Sequence, residues 1–353
     1  MDSDFITEVE RAFGDSRDDA LMQRAGEIIK KGGLVAIPTE TVYGLAGNAL
    51  DPESSKRIYA AKGRPSDNPL IVHIAEFDAL GPIVREIPEK ARLLAEKYWP
   101  GPLTMIFKKS DRVPKETTGG LDTVAVRMPV NKTALSFIKA AGGYIAAPSA
   151  NSSGRPSCTT AAHVYEDLCG KIPLIIDGGD VGIGLESTIV DMTGDAPVLL
   201  RPGYISHSQL EEVLGTVLID PNVNGAELGG DIRPKAPGMK YKHYAPRGEL
   251  YIVKGGEQAC TDRINSECRI HKERGETAAV ICLNTEVEKY TADVVSSLGN
   301  TYEDAAHNLF RCLREMDEKK IEYMYIRAFD GEGLGMALMN RIVRAAGHKF
   351  IEV

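Results

Sequence analysis

The chain of 353 residues is long enough for about two domains, and 43% hydrophobic with 26% charged residues is typical of a soluble globular protein. Lys and Arg number 42 against 50 Asp and Glu, so the formal net charge is −8. This balance argues against a protein whose whole surface binds nucleic acid or anionic lipid. Any anion site must therefore be a local basic pocket.

The amino-terminal sequence MDSDFITEVERAFGD is acidic and lacks the basic and apolar regions of a secretory signal, so we expect a cytoplasmic protein. No apolar run approaches the roughly 18 residues that cross a bilayer, which argues against a membrane role. Six cysteines form no CxxC pair, and we expect them to be reduced and mostly buried. No HExxH or Cys/His cluster has zinc spacing, so no resident metal site is predicted.

The first part of the chain alternates between helical and strand patterns. Apolar spacing predicts a helix over 17–31 with Ser16 as a possible N-cap, followed by a strand in LVAIPT and a helix in ESSKRIYAAKG. Seven further strand candidates alternate with helices, and Ser208 reads as the cap of a closing helix. Residues 1–219 therefore predict a large α/β domain with a mixed sheet.

Residues 220–247 break this pattern, because they contain four Pro and four Gly and their apolar residues follow neither the helical nor the strand period. From Asp231 to Arg247 this connection carries five Lys or Arg against one acid, which favours a functional segment over a slack linker. After it, strand candidates ELYIV, AAVICL and IEYMYIRAF alternate with helices, one with Thr301 as its cap. Residues 248–353 predict a small three-layer α/β unit.

Two basic or polar segments are candidates for phosphate binding. Lys62-Gly-Arg64-Pro lies at a helix end, where two cations can reach one polyanion, although an ordinary helix terminus also favours cations. The loop PSANSSGRPS at 148–157 follows an apolar strand and offers many hydrogen-bond donors, although a polar surface turn fits it equally well. Neither is a Walker A sequence.

Other polar residues remain ambiguous on sequence alone. The glycine-rich segments GDVGIG at 179–184 and GEGLG at 331–335 lack the spacing of a dinucleotide fingerprint and read as turns. His73 lies in a strand pattern and by itself reads as a satisfied buried residue. Arg127 is a charge within an apolar strand, so it must have a partner or face a cavity.

In combination these segments are more specific. Lys62-x-Arg64 with Ser149-x-Asn151, the phrase PTETVYGLAGNA at 38–49 and PGMKYKHYAP at 237–246 resemble the two-domain threonylcarbamoyl-AMP synthases. The resemblance spans essentially the whole chain. It implies a YrdC-like domain with a twisted mixed sheet at 1–219, a basic linker or lid at 220–247 and a smaller Rossmann-like domain at 248–353.

The resemblance implies that L-threonine, bicarbonate and ATP yield threonylcarbamoyl-AMP and pyrophosphate, with Mg²⁺ assisting. The product would pass to tRNA threonylcarbamoyl-transfer machinery that modifies tRNA beside the anticodon. A carbamate oxygen attacking the α-phosphate of ATP brings negative charges together, so the step depends on positioning and on cations rather than on a protein nucleophile. The Lys, Arg, Ser and Asn side chains noted above suit such a step.

The resemblance also assigns roles to individual residues, with Lys62 and Arg64 as the catalytic cations. ATP contacts are implied for Lys62, Arg64, Asn68, Thr123, Ser149, Asn151, Ser157 and Arg201. Threonine contacts are implied for Thr41, His73, Arg127, the Ala147 backbone and Ser187, with Arg127 pairing with the substrate carboxylate. Tyr241 and His243 of the linker would close over the nucleotide as a lid. The alternative for the linker is a plain interdomain tether.

Two other functions remain open at this stage. Hydrogenase-maturation carbamoyltransferases resemble this chain in one domain, but they also carry CxxC zinc pairs and an acylphosphatase-like part that this sequence lacks. A non-catalytic RNA-binding module is the second alternative. The net charge of −8 weakens it without excluding a local basic patch, so tRNA binding is possible but not required.

Overall fold

A computed structural model describes residues 6–224, 234–237 and 243–353. The chain forms two compact units, and a three-residue segment from the first part of the sequence groups with the second unit. The units are Met1–Ser153 with Ser157–Lys240, and Gly154–Pro156 with Tyr241–Val353. Residues 154–156 of the serine-rich loop thus group with the second unit, although they lie within the sequence range predicted for the first domain.

The described part of the first unit contains eleven strands and six α-helices. In chain order they are β1 (Glu8–Arg11), α1 (Asp19–Lys30), β2 (Val35–Ile37), β3 (Gly44–Asn48), α2 (Pro52–Lys62), β4 (Ile71–His73), α3 (Glu89–Tyr98), β5 (Leu103–Lys108), β6 (Thr123–Arg127), α4 (Lys132–Ala140), β7 (Ile145–Ala146), α5 (Ala161–Leu168), β8 (Leu174–Asp177), β9 (Thr188–Asp191), β10 (Val198–Arg201), α6 (His207–Leu214) and β11 (Leu218–Ile219).

These strands form one mixed sheet in the order β1-β8-β2-β3-β7-β4-β6-β5-β9-β10-β11. Strands β4 and β6 are parallel and set His73 opposite Arg127, while β5 runs antiparallel to β6 and sets Thr104 opposite the same arginine. Helices α1 and α4 pack on a core that includes Ile29, Phe137 and strand residues. The predicted large α/β domain with a mixed sheet is confirmed.

Helix caps correct two of the predicted boundaries. Asp15, not Ser16, caps a short 3-10 turn that precedes α1. The predicted cap Ser208 of α6 is wrong as well. Ser206 Oγ accepts from the N–H of Gln209, and the side chain of Gln209 accepts from the N–H of Ser206, so this reciprocal capping box starts the helix earlier.

The second unit contains five strands and three α-helices among its described residues. They are β12 (Glu249–Lys254), α7 (Glu257–Glu273), β13 (Ala278–Cys282), β14 (Val294–Ser297), α8 (Tyr302–Glu318), β15 (Tyr323–Arg327), α9 (Gly333–Ala345) and β16 (Phe350–Glu352). The sheet is parallel in the order β14-β13-β15-β12-β16. Successive residues of β13 are all buried, so both faces of the sheet are covered. The predicted small α/β unit is confirmed, and Thr301 caps α8 as expected.

The cysteines match the expectation from the sequence. All six are free thiols, and five are buried, whereas Cys169 is exposed. Across the three described ranges, no helix combines the length and the apolar character needed to cross a bilayer.

Candidate active site

Lys62 ends α2 with its ammonium group buried against the serine-rich loop. Gly63 terminates the helix in the left-handed region (φ 61°), where a side chain would be strained. Lys62 Nζ donates to the carbonyl oxygen of Ser149 at 2.5 Å and to that of Asn151, and the Lys62 carbonyl accepts from the N–H of Ser153 at 2.8 Å. Backbone carbonyls orient the ammonium without neutralising its charge, so the helix end and the loop form one cationic element.

Arg64 and Asn68 extend this element beyond the helix. The guanidinium of Arg64 donates from Nε to the carbonyl of Asn68 at 3.3 Å and from Nη2 to that of Pro69 at 3.1 Å. Both side chains are buried. Among the described residues, none donates a hydrogen bond to Asn68 Oδ1. A buried amide oxygen in this state costs about 1–3 kcal/mol, which a ligand or water that reaches it would recover.

The loop residues after β7 hold one another in place. Ser149 Oγ donates to Asn151 Oδ1 at 2.5 Å, and Asn151 Nδ2 donates to the carbonyl of Ser152 at 2.8 Å. Ser157 is fully buried and donates to Glu186 Oε1 at 2.5 Å. The loop is therefore an ordered structure, and the alternative of a free surface turn does not describe it.

A second group of buried polar residues centres on Arg127, at the end of β6. Nη2 of Arg127 lies 2.6 Å from Glu40 Oε1, although the two groups are misaligned for a hydrogen bond. Nη1 donates to Thr41 Oγ1 at 2.8 Å. The side chains of Arg127 and Glu40 are only 5% and 11% exposed. The partner that an arginine in an apolar strand requires is thus Glu40.

His73 lies beside Arg127 at the end of β4 and is neutral at pH 7. Burial and, second, the charge of Arg127 lower its pKa to about 3. Nδ1 lies 3.1 Å from the carbonyl oxygen of Ile71, which can only accept, so the neutral ring carries its proton on Nδ1. Nε2 is therefore a hydrogen-bond acceptor. A neutral acceptor beside a guanidinium suits the N–H or O–H groups of a ligand that also carries a carboxylate.

Arg201 ties the end of β10 to the same region. Its Nε and Nη2 donate to the carbonyl and the hydroxyl of Ser187 at 3.1 and 3.2 Å, and its Nη1 donates to the carbonyl of Pro237 at 3.4 Å. The Ser187 hydroxyl also lies 2.7 Å from Thr104 Oγ1. Arg201 and Ser187, predicted for the nucleotide and the threonine respectively, are therefore direct neighbours.

The two groups meet where the chain segment after Thr41 pairs with the serine-rich loop. Gly44 and Ser149 form an isolated β-bridge, and the Tyr43 carbonyl accepts from the N–H of Ala150 at 2.8 Å. A Cβ on Gly44 would lie 3.3 Å from the Cβ of Ala147, so this close approach of two backbones favours glycine. The bridge thus joins the segment next to Thr41, which contacts Arg127, to the loop that contacts Lys62.

The remaining four predicted residues are less informative. Ala147 is buried and donates its N–H to the Ile71 carbonyl at 2.9 Å, and Thr123 is half-buried at the start of β6. Tyr241 lies outside the described residues. His243 is buried within the second unit, where its ring packs edge-on against Tyr244 at 4.2 Å.

Two acidic residues, Glu40 and Glu186, were missed on sequence. Glu40 stands inside the quoted phrase TETVYG, and its place beside Thr41 was the available signal. Glu186 precedes Ser187 and accepts from Ser157, so it lies between two predicted site residues. In the part of the chain that the structure describes, no group of three or more His, Cys, Asp or Glu could hold a metal ion.

Comparison with known proteins covers both units. The Sua5/YciO/YrdC family model, described as telomere recombination, matches residues 27–203, and the model for the threonylcarbamoyl-AMP synthase C-terminal domain matches residues 205–347. Threonylcarbamoyl-AMP synthase of Pyrococcus abyssi is 49% identical over 93% of this chain and 95% of its own length. The Bacillus subtilis protein of that name is 43% identical over 95% and 96%. The chain belongs to the two-domain threonylcarbamoyl-AMP synthase family.

The fold agrees with this membership. The crystal structure of Pyrococcus abyssi Sua5 complexed with L-threonine is 47% identical to this chain, with a TM-score of 0.92 over 99% of each chain. The phrases that carry the resemblance and the candidate site residues all fall within the two matched ranges. The predicted family is thus confirmed.

Proposed function

We propose that this protein converts L-threonine, bicarbonate and MgATP to threonylcarbamoyl-AMP, pyrophosphate and water. The proposal is supported by two groups that each hold a buried cationic side chain, one around Lys62 and one around Arg127, and that the bridge between Gly44 and Ser149 connects. The substrates carry negative charge at two places, the threonine carboxylate and the triphosphate. Each cationic group would bind one of them.

The Arg127 group suits the amino acid. A relative that shares the fold and 47% of the sequence has been crystallised with L-threonine. Arg127 would exchange its misaligned contact with Glu40 for a charge-assisted pair with the substrate carboxylate. His73 Nε2 would accept a hydrogen bond from the substrate amine or hydroxyl, with Thr41 and Ser187 beside them.

The chemistry divides into two balanced steps. The threonine amine and bicarbonate first form a carbamate with loss of water, and a carbamate oxygen then attacks the α-phosphorus of ATP while the bond to the pyrophosphate oxygen breaks. Lys62 and Arg64, with the donors of Ser149 and Asn151, would stabilise the charge that spreads over the phosphoryl group. Mg²⁺ would arrive as part of the MgATP substrate and neutralise the departing pyrophosphate.

Three finer expectations belong to the same proposal. The enzyme would be classed as a nucleotidyltransferase, and its mixed-anhydride product would pass to a downstream enzyme that modifies tRNA beside the anticodon. A lid role for Tyr241 and His243, which would keep water from the product, stays an expectation from the resemblance. Direct RNA binding is not required for this reaction.

The test is capture of radiolabelled bicarbonate with release of pyrophosphate, measured with MgATP and with threonine or bicarbonate omitted in turn, and with serine in place of threonine. We expect label in a nucleotide species only when both substrates are present. Lys62→Ala should lower the rate at least about a hundredfold. Lys56→Ala is the matched control, because Lys56 lies on the same helix but pairs with Glu53 at the exposed surface.

A folded, ATP-binding protein that captures no label would contradict the proposal. A salt-dependent gel shift with RNA, unaffected by ATP, would then favour the RNA-binding alternative. Transfer of label to a protein acceptor would instead favour carbamoyl transfer. Equal loss in Lys62→Ala and Lys56→Ala would show that the assay reports stability rather than the phosphate site.

A further inference from the structure

The parallel sheet of the second unit has a topological switch point between β13 and β15. From β13 the chain leads to its neighbour β14 on one side of the sheet order, and from β15 it leads through α9 to β16 on the other side. The two connections therefore diverge from adjacent carboxyl ends and leave a crevice between them. In open α/β sheets, ligands bind in such crevices.

A cavity of about 50 Å³ lies at this crevice. It is lined by the ends of both strands and by the start of α8, including Cys282, Glu286, Tyr302, Arg327, Phe329 and Asp330. None of these residues belongs to the site proposed for synthesis. The glycine-rich segment 331–335, which reads as a turn on sequence, leads from this cavity into α9.

The cavity presents one cation and one carboxylate with bonding capacity to spare. Arg327 donates from Nε and Nη2 to Glu286 Oε1 at 3.0 and 2.6 Å, and within the described chain no acceptor is bonded to its Nη1. Asp330 is exposed, and its carboxylate has one long contact, 3.5 Å from the hydroxyl of Tyr302. Glu286 is buried and holds the guanidinium in place.

We infer that this cavity binds a small zwitterion, a free α-amino acid, with its carboxylate on Arg327 and its ammonium on Asp330. A guanidinium and a carboxylate in one small cavity complement the two charges of an amino acid. Size argues against a whole nucleotide and for the charged end of an amino acid with its side chain outside, because 50 Å³ is far below the roughly 300 Å³ of pockets that enclose larger ligands. Charge argues against inorganic phosphate, because Asp330 and Glu332 precede the first turn of α9.

Met339 offers a local probe of this cavity. Its sulfur accepts a hydrogen bond from the N–H of Phe329, a lining residue, at 3.3 Å. In the full-length protein labelled with ¹³C-methyl methionine, Met339→Leu assigns the Met339 signal. We expect that signal to shift on titration with glycine, L-serine or L-threonine, and to stay unchanged with the N-acetyl or methyl-ester derivatives, which each lack one charge.

Two variants and a matched control test the named contacts. Arg327→Gln and Asp330→Asn should each weaken amino-acid binding at least about tenfold, with circular dichroism unchanged. Arg274→Gln should leave binding unchanged, because Arg274 is exposed and lies outside the cavity lining. The readout needs no turnover, so it stands apart from the proposed synthase activity.

Each contrary result has a distinct meaning. A Met339 signal that stays fixed with all three amino acids at millimolar concentration overturns the inference. A shift with AMP or inorganic phosphate but not with amino acids overturns the ligand class and favours a phosphate ligand. A shift that persists in both Arg327→Gln and Asp330→Asn also contradicts it, because binding would then occur elsewhere.

Discussion

Each unit of the molecule has an arginine paired with a glutamate at the carboxyl end of a parallel strand, and the two pairs differ in burial and geometry. Arg127 and Glu40 in the first unit are nearly inaccessible, and their closest atoms lie 2.6 Å apart without the alignment of a hydrogen bond. Arg327 in the second unit is one-third exposed and makes two aligned hydrogen bonds to Glu286.

The difference suggests two uses of an arginine–glutamate pair. One pair can be exchanged for a ligand, and the other holds its guanidinium in a fixed position. Burial alone would lower the pKa of Arg327, but its hydrogen bonds and its charge pairing with Glu286 prevail and raise it. The buried Arg127–Glu40 pair lacks an aligned hydrogen bond that would fix its partners, so under the proposed function a substrate carboxylate would replace Glu40 at Arg127. The aligned pair instead fixes the guanidinium, which leaves Nη1 to a ligand.

The largest expected effect is that of Arg127→Gln, which leaves Glu40 buried without its cation. We expect a loss of about 3–5 kcal/mol in the free energy of unfolding, measured by urea denaturation. The rate constant kcat/KM for threonine should fall at least about a hundredfold. The double variant Arg127→Gln/Glu40→Gln should recover most of the stability but none of the activity. Recovery of activity would show that Arg127 serves the fold rather than the substrate.

The next effect concerns pH and comes from His73, which has no counterpart in the second unit's cavity lining. Its pKa of about 3 in the folded protein lies below the usual 6.5, so between these values the unfolded chain binds the extra proton. Protonation of His73 therefore does not affect the free energy of unfolding above pH 6.5. Between pH 6.5 and about 3 it lowers the free energy of unfolding by up to about 1.4 kcal/mol per pH unit. Urea unfolding of the wild type and of His73→Gln at pH 7, 6 and 5 should show this difference in slope. Parallel slopes would contradict a neutral buried imidazole.

A smaller effect is expected of Glu40→Gln, which removes the anion that competes with the substrate carboxylate. The free protein should lose stability, because Arg127 then lacks its partner, whereas threonine should bind about tenfold more tightly, or about 1.4 kcal/mol. Calorimetric titration with threonine and ATP measures this affinity. Weaker binding of threonine would mean that Glu40 contributes directly to threonine recognition. It would contradict the proposal that the substrate carboxylate replaces Glu40 at Arg127.

The sequence was sufficient for much of the architecture and for part of the site. Periodicity predicted both α/β units, and the presence of Arg127 in an apolar strand predicted a buried partner or a cavity, which Glu40 now supplies. The identity of that partner was not predictable from spacing, because it comes from a loop far earlier in the chain. Only the register between β4, β5 and β6 brings His73, Thr104 and Arg127 together.

The sequence also could not decide between similar neighbouring residues at a helix start, or show which unit a short loop segment contacts. Ser206 and Ser208 are both good caps, and only the reciprocal bonds with Gln209 identify the first. The assignment of residues 154–156 to the second unit depends on tertiary contacts, since buried Arg314 of α8 donates to the carbonyl of Pro156 at 2.7 Å. Nothing in the composition of the loop indicates that contact.

The smallest expected effect is that of changing Arg327 or Glu286, the pair in the second unit. Arg327→Gln removes a guanidinium that is one-third exposed, and the amide of the new Gln can still donate a hydrogen bond to Glu286, so we expect a loss of about 1 kcal/mol in the free energy of unfolding. Glu286→Gln should cost a similar amount, and the double variant should cost less than the sum of the two, because the residues interact directly. Synthesis of the adenylate should be unchanged in Arg327→Gln at saturating substrates. If Arg327→Gln lowered the free energy of unfolding as much as Arg127→Gln does, both arginine–glutamate pairs would be equally important for stability. The proposed difference between an exchangeable and a fixed arginine would then be wrong.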